Sequence, residues 1–315
     1  MMKTIAATML LLGLAALALP PAHAQAPAAK AAPAAAPQRT FSSAEAASKA
    51  LADAVRAGDA AALLAIVGPS SKGWLFSGDT VSDREDWKRF LAAYDVKHGL
   101  SRNGDKTAVI VVGDDDWPFP APIVNKDGKW SFDAAAGREE VLNRRIGRNE
   151  LDTIQTLLAI VDAQRTYAAS DPDGSGFTNY ASYFISSPGK KDGLYWEAKP
   201  GEPQSPLGEL VAKAQPGDGP GQGYFGYHFR LLYGQGPAAP GGAYSYLVNG
   251  RMIGGFGVIA WPVTYGETGV MTFIVSQSGD VYEKDLGPET PSKAAAVTLF
   301  DPDKGWEKAD MTLTP

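Results

Sequence analysis

The feature that most restricts this chain is a long helical stretch near its middle, residues 135 to 169, followed by sequence of β type. Val141, Leu142, Ile146, Leu151, Ile154, Leu157, Leu158, Val161 and Tyr167 recur there at helical intervals, which predicts one apolar stripe along a long rod. Such a stripe must be laid against another element. Downstream, Phe225, Tyr227, Phe229, Leu231 and Tyr233 alternate with Tyr224, Gly226, His228, Arg230 and Leu232, the period of a strand. Asn249-Gly250, Gly266-Glu267-Thr268-Gly269 and Ser278-Gly279 then separate the runs 256–263, 270–276 and 280–284, as turns separate the strands of a meander. The simplest arrangement is a long helix packed across an antiparallel sheet. Gly147 lies inside the helical stretch and costs about 1 kcal/mol against alanine, so a break or bend is expected there. The first half of the stretch would close one unit and the second half open the next.

The sequence before the rod has its own pattern. Ser42 or Ser43 precedes Ala46, Ala47, Ala50, Leu51 and Val55 at helical spacing, and a second short helix is expected after Gly58-Asp59. Ser82-Asp83-Arg84-Glu85 has the form of a capping box, with Trp87, Phe90, Leu91 and Tyr94 on one side of the helix behind it. Residues 107–112 form a β-branched run, and 123–124 and 130–132 flank Asp127-Gly128, a hairpin signal. The expected fold class is therefore α+β in two units, about 41–147 and 148–288, followed by a C-terminal tail, 289–315.

Lys3, the uncharged apolar run 5–19 and Ala22-His23-Ala24 have the layout of a secretory signal peptide over residues 1–24. The run is shorter than the ~20 residues a membrane span needs, so no transmembrane anchor is expected after cleavage. Residues 25–40 are Ala/Pro-rich and read as a linker. The mature chain is expected in the periplasm or outside the cell. Cleavage removes one of 29 bases and none of 35 acids, leaving a formal charge of −7. That charge offers no footprint for nucleic acid, whose binding rests on phosphate neutralisation. The absence of cysteine excludes disulfides, thiol catalysis and thiolate metal centres.

Three resemblances follow from particular strings. The order of helices and strands ending in VNKDGKWSFD resembles the cystatin-like cone of nuclear-transport-factor-like and SnoaL-like domains. That resemblance implies a pocket between sheet and helices, and makes Trp87, Tyr94, Asp95, His98 and Trp117 its candidate residues. NELDTIQTLLAIVDAQRTYAASD with its glycine-rich sequel resembles the soluble part of type II pseudopilins. Residues 135–150 are highly charged, unlike a pilin's apolar helix, so assembly through that helix is not expected. WPFP, DGKWSFD, GREEVLNRRIGRNEL, PGKKDGLYW, GYHFRLL and SQSGDVYEKDLG together resemble the bacterial envelope family known as domain of unknown function 2950. That implies an exported two-part protein and lends no catalytic residues.

Motif by motif, the chemistry is open. Asp95 and His98, three apart, read either as an acid/base pair or as a polar helix end. Arg144, Arg145 and Arg148 would grip an anion unless Glu139, Glu140 and Glu150 pair with them along the helix. Asp114-Asp115-Asp116 reads as a solvated turn. Asp171, Asp173 and Ser175 place oxygens at alternate positions among glycines, as a calcium turn requires. An EF-hand fails because Ser182 stands where the bidentate Glu belongs, and an ion-free helix-ending turn satisfies the same letters. Gly189-Lys190-Lys191 lacks the Walker spacing. His228 and Arg230 are expected on a solvated strand face. There is no H-E-x-x-H, no G-x-S-x-G and no G-x-G-x-x-G leading from strand into helix. The expectation is a non-catalytic binding protein without cofactor, meeting an envelope protein or polymer through its aromatic, glycine-rich sheet. The alternatives are a small-ligand carrier or sensor using the first unit's pocket, and a carboxylate-dependent hydrolase aided by His98.

Overall fold

A computed structural model describes residues 37–172, 174, 176–216 and 223–310. The expected signal peptide, residues 1–24, and residues 25–36 of the expected linker lie outside them. The chain begins with α1 (Ala44–Ala57), α2 (Ala60–Val67), a 3-10 turn (Pro69–Ser71), α3 (Lys72–Leu75) and α4 (Thr80–Val96). Ser43 Oγ accepts from Ala46 N at 3.1 Å and Asp59 from Ala62 N at 2.9 Å, so a polar cap satisfies one orphan amide in each of the first two helices. Between them Gly58 adopts φ 64°, the left-handed turn that glycine tolerates best. The start of α4 differs from expectation. Asp79, not Ser82, is its cap, accepting from Val81 N and Ser82 N at 2.9 and 3.2 Å. Asp83 turns back to Ser77, and Glu85 pairs with Lys88.

The first sheet comprises β1 (His98–Asn103), β2 (Thr107–Val112), β3 (Trp117–Pro118), β4 (Ile123–Lys126) and β5 (Lys129–Phe132), in the antiparallel order β1-β2-β4-β5 with β3 on β2. Asp127 and Gly128 take φ 53° and 78°, the signature of a type I′ turn. The inward side chains of β2, Ala108, Ile110 and Val112, join Leu51, Ile66, Phe90 and Phe132 in one core.

Helix α5 (Ala134–Ser170) runs for 37 residues, with Asp133 as its cap. It is continuous across Gly147, where a break or bend is expected, so the break does not occur. A glycine penalty of about 1 kcal/mol is small beside the tertiary packing at both ends. Near the start Gly137 is buried against Trp74 and Ala121. Further along, Ile154, Leu157, Ile160, Val161 and Tyr167 are buried in a second core.

After α5 come β6 (Tyr183–Ile185), β7 (Gly193–Tyr195), α6 (Glu209–Ala212), β8 (Tyr227–Leu232), β9 (Gly234–Gln235), β10 (Tyr244–Ser245), β11 (Leu247–Val248), β12 (Arg251–Met252), β13 (Gly257–Pro262), β14 (Met271–Ser276) and β15 (Val281–Asp285). Then α7 (Thr290–Ala296) and β16 (Glu307–Lys308) end the described chain. The second sheet is antiparallel in the order β16-β15-β14-β13-β8, and α5 packs on β13 and β14. The fold is α+β, with a long helix packed on an antiparallel meander. All six residues of β13 are buried, because the face away from α5 is covered too. Leu232, Ile259, Trp261 and Ile274 meet Ala294 of α7 and Phe300 there. His228 and Arg230 therefore do not lie on a solvated face. Arg230 Nη2 donates to Ala294 O and Val297 O at 2.7 and 2.6 Å. Burial lowers the pKa of His228, because desolvation disfavours the charged ring. Among the described residues no helix is long and apolar enough to cross a membrane.

Candidate functional site

The first-unit candidates are not all brought together. Tyr94, Asp95 and His98 line one hollow of about 750 Å³ with Ser48, Arg56 and Arg102. Trp117 lies in a different groove, and Trp87 packs edge-on to Phe90 with centroids 5.8 Å apart. The space between helices and sheet is filled by the buried side chains of the first core, Phe119 among them. His98 is the first residue of β1, not the end of α4. Its ring stacks on Tyr94 at 3.8 Å and 8°, with Nδ1 2.8 Å from the carbonyl oxygen of Tyr94. Asp95 pairs instead with Arg56 of α1. Each member of the expected acid/base pair thus has a partner other than the other. In the acidic turn that follows, Asp116 holds Lys97 at 2.8 Å, and that hydrogen bond raises the lysine's pKa.

Asp171 ends α5 in the left-handed conformation, φ 43°. Its carboxylate accepts from Gly176 N at 2.9 Å, which closes the turn locally. Asp173 and Ser175, the other two calcium candidates, lie outside the described residues. Among the described residues no group of three His, Asp or Glu is placed to hold a metal ion.

A second cleft, about 740 Å³, opens where the loops after α5 meet the β11–β12 hairpin. Its construction starts from Gln164 on α5, a fully buried amide that accepts from Ala181 N at 2.8 Å and donates to Ala181 O at 3.0 Å. Those two bonds fix the segment entering β6, because an unsatisfied buried amide would cost about 1–3 kcal/mol. Tyr180 N donates to Met252 O at 2.8 Å, and Tyr233 OH to Ser182 O at 2.9 Å. Burial, reinforced by neighbouring Tyr183, holds the Tyr233 phenol above its ordinary pKa, so it remains a donor. Asp192 closes the 187–192 turn through Ser187 N and Oγ at 2.7 and 2.9 Å. Tyr167 OH donates to Lys191 O at 2.5 Å.

The cleft is lined by Asn179, Tyr180, Tyr183, Lys190, Asp192 and Arg251, among others. Exposed at or beside it are Tyr183 of the lining, at 51%, Phe177 against Arg251, at 60%, and Tyr233 on Ser182 O. Arg251 lies 5.4 Å over the Phe177 ring and Lys191 5.4 Å over Trp196, contacts that hold cations beside aromatic faces. The site joins aromatic surface to hydrogen-bonding groups of both signs. Sequence reasoning placed the aromatic surface on the glycine-rich sheet, which opens with residues 224–233. There Tyr227, Phe229 and Leu231 are buried, and Phe225 and Tyr233 are exposed. The signal for the actual cleft was PGKKDGLYW, a polar turn that gained meaning only once Asn249-Gly250 folded beside it.

A family model described as a protein of unknown function, DUF2950, matches residues 38–309. No curated protein and no solved structure matches.

Proposed function

Since the chain belongs to the DUF2950 family, we propose that it is an exported, non-catalytic binding protein that needs no cofactor. Its binding surface is the aromatic cleft around Tyr180, Tyr183 and Arg251, and its partner is an envelope glycan. The observation that carries this reading is the gathering of large exposed side chains about a polar cleft of some 740 Å³. Contiguous exposed apolar surface marks interaction sites, and tyrosine and arginine dominate binding hot spots. Tyrosine faces suit the C–H faces of sugars, while Asn179, Lys190, Asp192 and Arg251 suit their hydroxyls. Residues 1–24 support export and a periplasmic or secreted location. The test is co-sedimentation of the mature chain with purified peptidoglycan or cell-wall polysaccharide. Tyr183→Ala with Arg251→Ala is expected to abolish pelleting while leaving the melting temperature within the range of surface substitutions. Pelleting that survives the double substitution, or a wild-type chain that pellets with neither polymer, refutes the assignment.

A further inference from the structure

A different groove, on the other core, lies between α4, the β2 and β3 strands and the first half of α5. It holds about 700 Å³ and is lined by Arg89, Arg144, Arg145 and Arg148, with Trp117 and Phe90 in its wall. Local spacing explains the cluster. Residues 144 and 148 lie one helical turn apart on the same side of α5, 145 lies beside them, and Arg89 approaches from α4.

The pairing of these cations is incomplete. Arg89 pairs with Asp86, and Arg144 Nε donates to Glu140 Oε1 at 2.7 Å. Arg144 Nη1 is buried and no described group accepts from it. Its guanidinium lies 5.1 Å over the Trp117 ring. Arg145 and Arg148 are exposed and form no ion pair among the described residues. Glu150, one of the acids in helical reach, has its carboxylate on Val270 N and Met271 N at 2.8 and 2.9 Å. Four guanidiniums therefore face two carboxylates in a chain that is acidic overall.

We propose that this groove binds a small organic phosphate, a phosphate monoester carrying a flat or apolar body. An excess of two positive charges matches a phosphomonoester, which carries about −1.5 to −2 at neutral pH. The unpaired forks of Arg145 and Arg148 present paired donors suited to phosphate oxygens. The wall of Trp117 and Phe90 receives the organic part, and the volume lies in the range of small-ligand sites. The site is separate from the aromatic cleft and does not depend on the glycan assignment.

The test is isothermal titration of the mature chain at low salt with phenyl phosphate, inorganic phosphate and phenol. Phenyl phosphate is expected to bind about tenfold more tightly than inorganic phosphate, and phenol not at all. Arg145→Gln with Arg148→Gln is expected to lower phenyl phosphate affinity at least about tenfold, with an unchanged melt. Arg138→Gln, on the same helix and outside the groove, is expected to leave it intact. Absence of phenyl phosphate binding at millimolar concentration, or equal losses in the Arg138 control, overturns the site. Equal affinities for phosphate and its phenyl ester overturn the part assigned to the aromatic wall. Vesicles containing phosphatidate separate the two sources of the group: co-sedimentation with them while the soluble ester fails to bind overturns the assignment to a soluble phosphate.

Discussion

Replacing Glu150 with alanine removes the one carboxylate that fastens α5 to the β13–β14 connection. Its Oε1 accepts from Val270 N at 2.8 Å and Met271 N at 2.9 Å, and stands 3.5 Å from Tyr227 OH. The Tyr227 hydroxyl keeps a second acceptor, Met271 O at 3.0 Å, so the loss falls on the two amides. A hydrogen bond to a charged group contributes about 1.5–3 kcal/mol, and the half-buried position of Glu150 lets water recover part of it. Two bonds at the lower end give about 3 kcal/mol. Relief of repulsion from the neighbouring Glu283, whose pKa is raised by burial first and then by Glu150, Glu307 and Asp310, offsets some of this. The expected destabilisation is about 2–3 kcal/mol, or roughly 3–5 °C in Tm for a chain of this size. Urea and thermal unfolding followed by circular dichroism measure it. Glu150→Gln keeps an acceptor for both amides and is expected to lose less than half as much. An alanine variant within about 0.5 kcal/mol of wild type, the ordinary scatter of surface substitutions, would refute the reasoning. Equal losses in both variants would assign the effect to charge and not to the amides.

Further outcomes are expected elsewhere. A Cβ at Gly137 would stand 2.8 Å from both Ala121 Cβ and Trp74 Cζ2, so Gly137→Ala is expected to cost about 1–3 kcal/mol, read by urea denaturation; an unchanged midpoint counts against the packing described. Because the folded-state pKa of Glu283 is raised, the stability this group contributes is full below the unfolded value, about 4.3, and is lost as pH rises through the folded value. Glu283→Gln should accordingly raise the melting temperature at pH 7 and flatten its fall between acid and neutral pH; a steeper fall in the variant contradicts that sign. Stripping divalent cations with EDTA should leave the melt unchanged, since the Asp171 turn closes on Gly176 N, whereas a drop restored by Ca²⁺ would assign that turn as an ion site.

What the letters alone determined was local. The caps Ser43 and Asp59 act on amides three residues away, and Asp127-Gly128 makes its turn because both positions need φ above zero. The apolar stripe of α5 was readable because helical period is a property of the strand of letters itself. Local signals failed where two neighbours competed for one role, as Asp79 and Ser82 did at the start of α4. His98 left the helix for β1, where all six residues of the strand pair with β2, and pairing partners cannot be read from one segment. The partial burial of Arg230 was decided by the carbonyls of Ala294 in α7 and of Val297 just after it, 64 and 67 residues away. The arginine groove shows the same division. Three arginines on α5 were legible, but only the tertiary fold brings Arg89 of α4 and Trp117 of β3 to the same groove. Helical spacing lists the neighbours a charge has available, and only the tertiary fold decides which of them it takes.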